Sequence, residues 1–239
     1  MKKRNLLVLL ISCLGIFQLG AQSFAFGIKG GPILGIQQWN SADRDPLFSY
    51  HGIAFIESYS ETDDLVSVFL QAGYHIRGSA VRNQQFSNNN QLFKAPTIEY
   101  VFRNVGLSLG AKKKYNISGN SKAYYMLGVR GEYNLGTNFS GFESLASAFY
   151  PNDFFVRPFV FGAIFGGGIE FPFGELIGGT VELTLNPDIT RQYIQPPIGN
   201  VTSPWDPSQT INVGERNIRN ITIELSIGLR FLRIVEYLD

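Results

Sequence analysis

The residues from Ile221 to Phe231 alternate without a break. Ile221, Ile223, Leu225, Ile227, Leu229 and Phe231 are apolar, and Thr222, Glu224, Ser226, Gly228 and Arg230 stand between them. Successive side chains of a β-strand point to opposite faces, so this stretch has one apolar and one polar face. A helix would scatter both sets around its circumference.

The same pattern recurs upstream. Phe159, Phe161, Ala163, Phe165, Gly167, Ile169 and Phe171 share a face, as do Ala123, Tyr125, Leu127, Val129, Tyr133 and Leu135. The spacing predicts eight strands, roughly at 24–38, 50–59, 64–77, 95–114, 122–135, 158–171, 176–187 and 217–231. Only the second, Tyr50 to Tyr59, leaves its facing open, because apolar residues fall on both sides of it. No stretch after residue 23 approaches the roughly 18 uninterrupted apolar residues of a membrane helix. Each predicted strand reaches or exceeds the roughly 9–11 residues that cross a bilayer at a tilt.

The charges decide which face points inward. Lys29, Arg77, Lys112, Arg130, Glu132, Glu170, Glu182, Glu224 and Arg230 all fall on polar faces, and the opposite faces of strands five to eight are nearly free of charge. A soluble barrel hides its apolar face and charges its surface. Here a row such as Phe159, Phe161, Phe165 and Phe171 is explained by contact with lipid. The polar set then lines the lumen of an eight-stranded, antiparallel, up-and-down transmembrane β-barrel. It has to pair there, since isolated buried charge is costly. A barrel of eight strands is filled by its own side chains, so a plugged lumen is the expectation. Glycines on the polar faces, Gly27, Gly106, Gly110, Gly128, Gly162, Gly166, Gly168 and Gly228, leave room for the long ones.

Predicted connections alternate long and short. Trp39 to Ser49, Gly78 to Lys94, Gly136 to Arg157 and Asp188 to Arg216 are long; Ser60 to Asp63, Tyr115 to Ser121 and Pro172 to Glu175 are short. Outer-membrane barrels have short periplasmic turns and longer extracellular loops. The N-terminus fits the same destination. Met1-Lys2-Lys3-Arg4 is basic, Leu6 to Phe17 is apolar, and Leu19-Gly20-Ala21-Gln22-Ser23 is small enough for cleavage. We assign 1–22 to a signal peptide and 23–239 to one outer-membrane barrel domain. Lipidation at Cys13 within Leu10-Ile11-Ser12-Cys13 is the competing reading. Net charge is +1, so no field draws nucleic acid to the chain.

Few residues suggest chemistry. The two histidines, His51 and His75, are placed near the extracellular rim, with Ser79 and Glu57 as conceivable helpers of a rim-sited lipid-modifying enzyme. No cluster has metal-ligand spacing, and no cofactor is expected. Lys112-Lys113-Lys114 reads as the solvated periplasmic end of strand four, or else as a patch for anionic lipid. Trp39, Tyr50, Tyr59, Tyr115 and Tyr133 are candidates for interfacial girdles.

Three stretches carry a resemblance. They are Leu19-Gly20-Ala21-Gln22, Phe26-Gly27-Ile28-Lys29-Gly30-Gly31 and Tyr125-Met126-Leu127-Gly128-Val129-Arg130-Gly131-Glu132-Tyr133. The chain resembles the outer-membrane β-barrel proteins of the Bacteroidota, including the PorT-like group. The resemblance implies an outer-membrane location, passage through the barrel assembly machinery and, for one branch, association with a secretion system. Such barrels commonly end in an aromatic residue, whereas Phe231 here is followed by Leu232 to Asp239. The functional expectation is a non-enzymatic structural or interaction protein acting through long extracellular loops. A narrow porin-like channel and the lipid-modifying enzyme are the alternatives.

Overall fold

Eight long strands close on themselves, each antiparallel to its neighbours. They are β1 (Phe24–Trp39), β2 (Asp45–Ser58), β3 (Val66–Val81), β6 (Ile98–Asn116), β7 (Lys122–Thr137), β8 (Phe159–Pro172), β9 (Ile177–Pro187) and β13 (Arg216–Arg233). The five shorter strands lie in the connections: β4 (Gln85–Asn88), β5 (Gln91–Lys94), β10 (Tyr193–Gln195), β11 (Ile198–Thr202) and β12 (Thr210–Val213). The computed structural model describes residues 23–40, 43–60, 65–83, 85–88, 91–142, 148–203 and 206–235, with backbone alone at 86–88 and 91. The predicted signal segment and Cys13 lie outside the described residues, as does most of the predicted turn at Ser60 to Asp63.

Closure comes from the first and last long strands. Phe24 faces Arg233, Phe26 faces Phe231 and Trp39 faces Ile218 along a nearly continuous β1–β13 ladder. This ladder removes both free sheet edges, and in hydrocarbon that is obligatory because no water is there to satisfy an open edge. The first and last described residues meet at one end, where the Val235 amide donates to Ser23 Oγ at 3.1 Å. The tight turns are at the same end. Ile117 N–H donates to the Ser121 carbonyl at 3.0 Å, with Gly119 at φ +66° supplying a left-handed corner. Phe173 N–H reaches the Ile177 carbonyl at 2.9 Å. By the short-turn rule this is the periplasmic end.

Alternation sorts the side chains as the polar and apolar faces require. On β7 Tyr124, Met126, Arg130 and Glu132 are buried, while Tyr125, Leu127, Val129, Tyr133 and Leu135 are exposed. Val129 is 62% exposed and Leu109, its partner on β6, 53%. Bare leucine and valine at that exposure suit hydrocarbon as the surrounding medium. β2 faces its odd residues inward. Leu47, Ile53 and Phe55 point into the barrel beside His51 and Glu57, and Phe48, Tyr50 and Ile56 point out. Apolar residues on both sides are the reason its sequence left the facing open.

Several strands run farther than predicted. β2 begins at Asp45 rather than at Tyr50, and β3 continues to Val81 rather than stopping at Arg77. The first connection shrinks to 40–44, shorter than 59–65, so the alternation of long and short connections fails at that loop. Above the polar lumen the inward side turns apolar. Val81, Tyr100, Phe102, Phe139, Tyr193 and Ile218 form a buried cluster, with Trp39 against it. Phe139 meets Phe102 edge-on at 5.1 Å and Tyr193 at 6.1 Å. Burial of side chains this size stabilises by about 1.5–3 kcal/mol each, enough to hold the extracellular chain onto the barrel. Trp39 therefore belongs to this cap, where Tyr100 lies 5.0 Å away, and not to a lipid-facing girdle. Tyr133 and Tyr115 do face outward, against Phe159 at 5.0 Å and Tyr125 at 5.8 Å.

Candidate functional site in the barrel lumen

Each strand delivers every second residue to the lumen, and three tiers of charge result. At the periplasmic tier Glu57 receives Lys112 at 2.8 Å, Lys114 at 2.5 Å and Arg230 at 3.5 Å. Glu170 lies 3.1 Å from Lys114, 3.6 Å from Lys112 and 3.7 Å from Arg230. In the middle tier Lys29 is paired with Glu182, which also accepts from Tyr124 Oη at 2.7 Å. Lys112 sits 4.4 Å over the Tyr124 ring. In the outer tier Arg77 bridges Glu132 at 2.7 Å and Glu224 at 3.4 Å, and donates to Thr222 at 2.8 Å. Arg130 pairs with Glu132 and, at 2.5 Å, with Asp188, which in turn accepts from Asn220 at 2.9 Å.

The charges balance. Among the described residues the buried cations are Lys29, Arg77, Lys112, Lys114, Arg130 and Arg230; the buried carboxylates are Glu57, Glu132, Glu170, Glu182, Asp188 and Glu224, six of each. Removing an ion from water costs several kcal/mol unless a partner and further hydrogen bonds replace the hydration. Here every one of the twelve lies within 4.0 Å of an opposite charge. The packing leaves a central void of only about 10 Å³, lined by residues including Gln71, His75, Arg77 and Arg130. That is about the space of one water.

Glycines set this packing. A Cβ on Gly110 would come within 2.6 Å of the Phe69 ring, one on Gly162 within 2.7 Å of Arg130 Nε, and one on Gly168 within 2.7 Å of Tyr124 Oη. Gly168, at the end of the Gly166-Gly167-Gly168 run, thus lets the Tyr124 side chain cross the lumen.

All nine charged residues singled out from the sequence, Lys29, Arg77, Lys112, Arg130, Glu132, Glu170, Glu182, Glu224 and Arg230, are buried in the lumen. Three further charges, Glu57, Lys114 and Asp188, complete the set. Glu57 was obscured by the ambiguous strand β2, and Lys114 by its place in a lysine run. Asp188 was obscured by its position just past the end of β9. The lysine run is thereby corrected. Lys112 and Lys114 are buried against Glu57 and Glu170, and only Lys113 faces out, 5.9 Å over the Tyr115 ring.

The histidines are also placed differently. His51 and His75 are register partners inside the barrel, not rim residues. His51 Nε2 lies 2.8 Å from Ser226 Oγ, and His75 Nδ1 lies 3.2 Å from Glu224. Ser79 and Glu57 serve other partners, Gln37 at 2.6 Å and the periplasmic cations. A nucleophile, a base and an orienting group in one chain of contacts would be needed for covalent catalysis. Here the carboxylate contacts the wrong histidine for that relay. His51 Nδ1 has no hydrogen-bond partner, and Ser226 is 1% exposed.

A closed antiparallel ring with lipid-exposed apolar stripes and a charged interior agrees with the comparison with known families. The outer membrane protein beta-barrel domain family matches residues 20–191. The chain belongs to this family. The closing strand β13 lies beyond the matched stretch and completes the barrel through its ladders with β1 and β9. The protein is thus an outer-membrane β-barrel. No curated protein matches the sequence. Among solved structures the barrel is similar to Neisserial surface protein A (NspA), at 12% identity and TM-score 0.43, covering 87% of this chain and 97% of that one. It is also similar to Ail of Yersinia pestis, at 11% identity and TM-score 0.41, covering 88% and 99%. The outer membrane protease OmpT of Escherichia coli matches at 9% identity and TM-score 0.44, covering 90% and 98%.

Proposed function

We propose that this outer-membrane barrel is a non-enzymatic structural or interaction protein whose lumen is plugged by its own ion pairs. The observation that carries the proposal is the balanced set of twelve buried charges around a void of about 10 Å³. A water-filled path would have to separate pairs whose partners are otherwise left uncompensated. Function then falls to the surfaces outside the bilayer. Leu92 and Phe93 on β5 are 74% and 52% exposed, and Phe154 stands out on a short 3-10 turn. Apolar side chains exposed on these connections suit contact with another protein, at the extracellular surface or in a secretion system. Phe231, stacked on Phe26 at 5.6 Å in the closing ladder, is the aromatic proposed to present β13 to the barrel assembly machinery.

The test is electrical. Purified protein in planar bilayers gives no sustained single-channel openings, and photo-crosslinkers placed at Leu92 and Phe154 capture a protein partner in intact cells. Steady openings would establish the narrow channel instead.

A further inference from the structure

Four arginines stand towards the extracellular end of the lipid-facing stripes, each two residues from an apolar position of its own segment. Arg103 precedes Val105 on β6, Arg157 precedes Phe159 at the start of β8, Arg191 follows Ile189 after β9, and Arg219 precedes Ile221 on β13. All four are exposed. Three of them, Arg157, Arg191 and Arg219, stand on neighbouring segments, and Arg103 lies one strand away across β7. The Arg157 amide donates to the Gln192 carbonyl at 2.8 Å, and the Gln192 amide donates to the Ile218 carbonyl at 2.9 Å. These bonds carry the series from β8 through the segment after β9 to β13.

Their own partners leave them available. Arg103 donates to the Thr137 carbonyl at 3.1 Å, and Arg191 has a loose exposed pair with Glu215 at 3.6 Å. Among the described residues the Arg157 and Arg219 guanidinium groups have no side-chain partner. The nearby acids are otherwise engaged or farther out. Asp153 accepts from Thr137, and Glu99 lies beyond Arg103 on β6. Arg191 and Arg219 share a hollow of about 280 Å³ with Trp39, Asn40 and Asn217. Guanidinium groups bind phosphate oxygens in pairs of parallel hydrogen bonds. Basic residues just outside the apolar band meet lipid headgroups before they meet bulk water.

We propose that Arg103, Arg157, Arg191 and Arg219 form a binding surface for the phosphate groups of a phosphorylated glycolipid in the outer leaflet, with the Arg191–Arg219 hollow as its centre. The surface depends on the barrel and its orientation, and does not depend on whether the lumen conducts.

The experiment uses the refolded protein in phosphatidylcholine vesicles with and without diphosphoryl lipid A. The temperature at which the folded gel band is lost should rise by several degrees when lipid A is present. R191Q/R219Q should lose most of that rise, and the fourfold glutamine variant all of it, with midpoints unchanged in lipid A-free vesicles. Native mass spectrometry of detergent extracts should show lipid A on the wild type and not on the fourfold variant. Dephosphorylated lipid A, and inorganic phosphate alone, should give no rise. The proposal fails if the variants keep the rise and the bound lipid, or if the phosphate-free glycolipid works as well. It fails too if inorganic phosphate alone produces the effect, which would make the hollow a free-anion site.

Discussion

His51 and His75 stack across the β2–β3 ladder, their rings 5.7 Å apart and within 6° of parallel, yet each bonds to β13 on the far side of β1. The bonds pass over β1 where Gly31 lies opposite His51 and puts no side chain in the way. Three strands are thereby joined by side chains as well as by their ladders.

The histidines should matter to stability and not to lipid chemistry. H75A removes one donor from Glu224 and leaves it Arg77 and Thr222. The cost expected for a poorly satisfied buried acceptor is about 1–3 kcal/mol. It is measured as a lower urea midpoint in refolding from micelles. The outer-membrane lipid profile of cells carrying H51A/H75A should match the wild type; an altered profile would restore the enzyme reading.

The ion pairs should be costly to break and cheap to delete. E182A strands Lys29 in the lumen and should lower stability by about 3–5 kcal/mol. Replacing both partners, K29M/E182M, should recover most of that loss in the same urea titration. A double variant as unstable as E182A would mean the pair is not the reason the single change hurts.

The lipid face should reject charge. Val129 and Leu109 are paired near the middle of the apolar band. V129R should cost about 2–4 kcal/mol in vesicles. E175R, in the exposed turn between β8 and β9, should stay within about 0.5 kcal/mol of the wild type.

Much of this barrel is legible in the sequence. Period-two alternation at residues 221–231 and 159–171 announced strands whose polar side had to be sheltered, and the nine charges so identified do lie inside. Legibility ended where the alternation lost its contrast. In β2 the inward Ile53 and Phe55 pack beside lysines, with Lys29 and Lys112 at 5.7 and 5.6 Å from the Phe55 ring, so hydropathy alone could not rank its faces. It ended again above the bilayer. There β3 and β6 run on with an apolar interior, and hairpins such as β11–β12 depend on tertiary cover, not on a membrane period. The His51–Ser226 contact joins residues far apart in sequence and depends on register, which no local pattern reveals.

Even-numbered residues of β7 point into a dry, filled lumen, and odd-numbered ones point into lipid. Nitroxide labels at single cysteines from Tyr124 to Tyr133, with the protein in vesicles, test it residue by residue. Labels at Tyr125, Leu127, Val129 and Tyr133 should collide with dissolved oxygen and not with a water-soluble nickel complex. Labels at Met126, Gly128 and Arg130 should collide with neither. Nickel access at the even positions would show a water-filled lumen, and the opposite phase of oxygen access would mean that the faces are reversed.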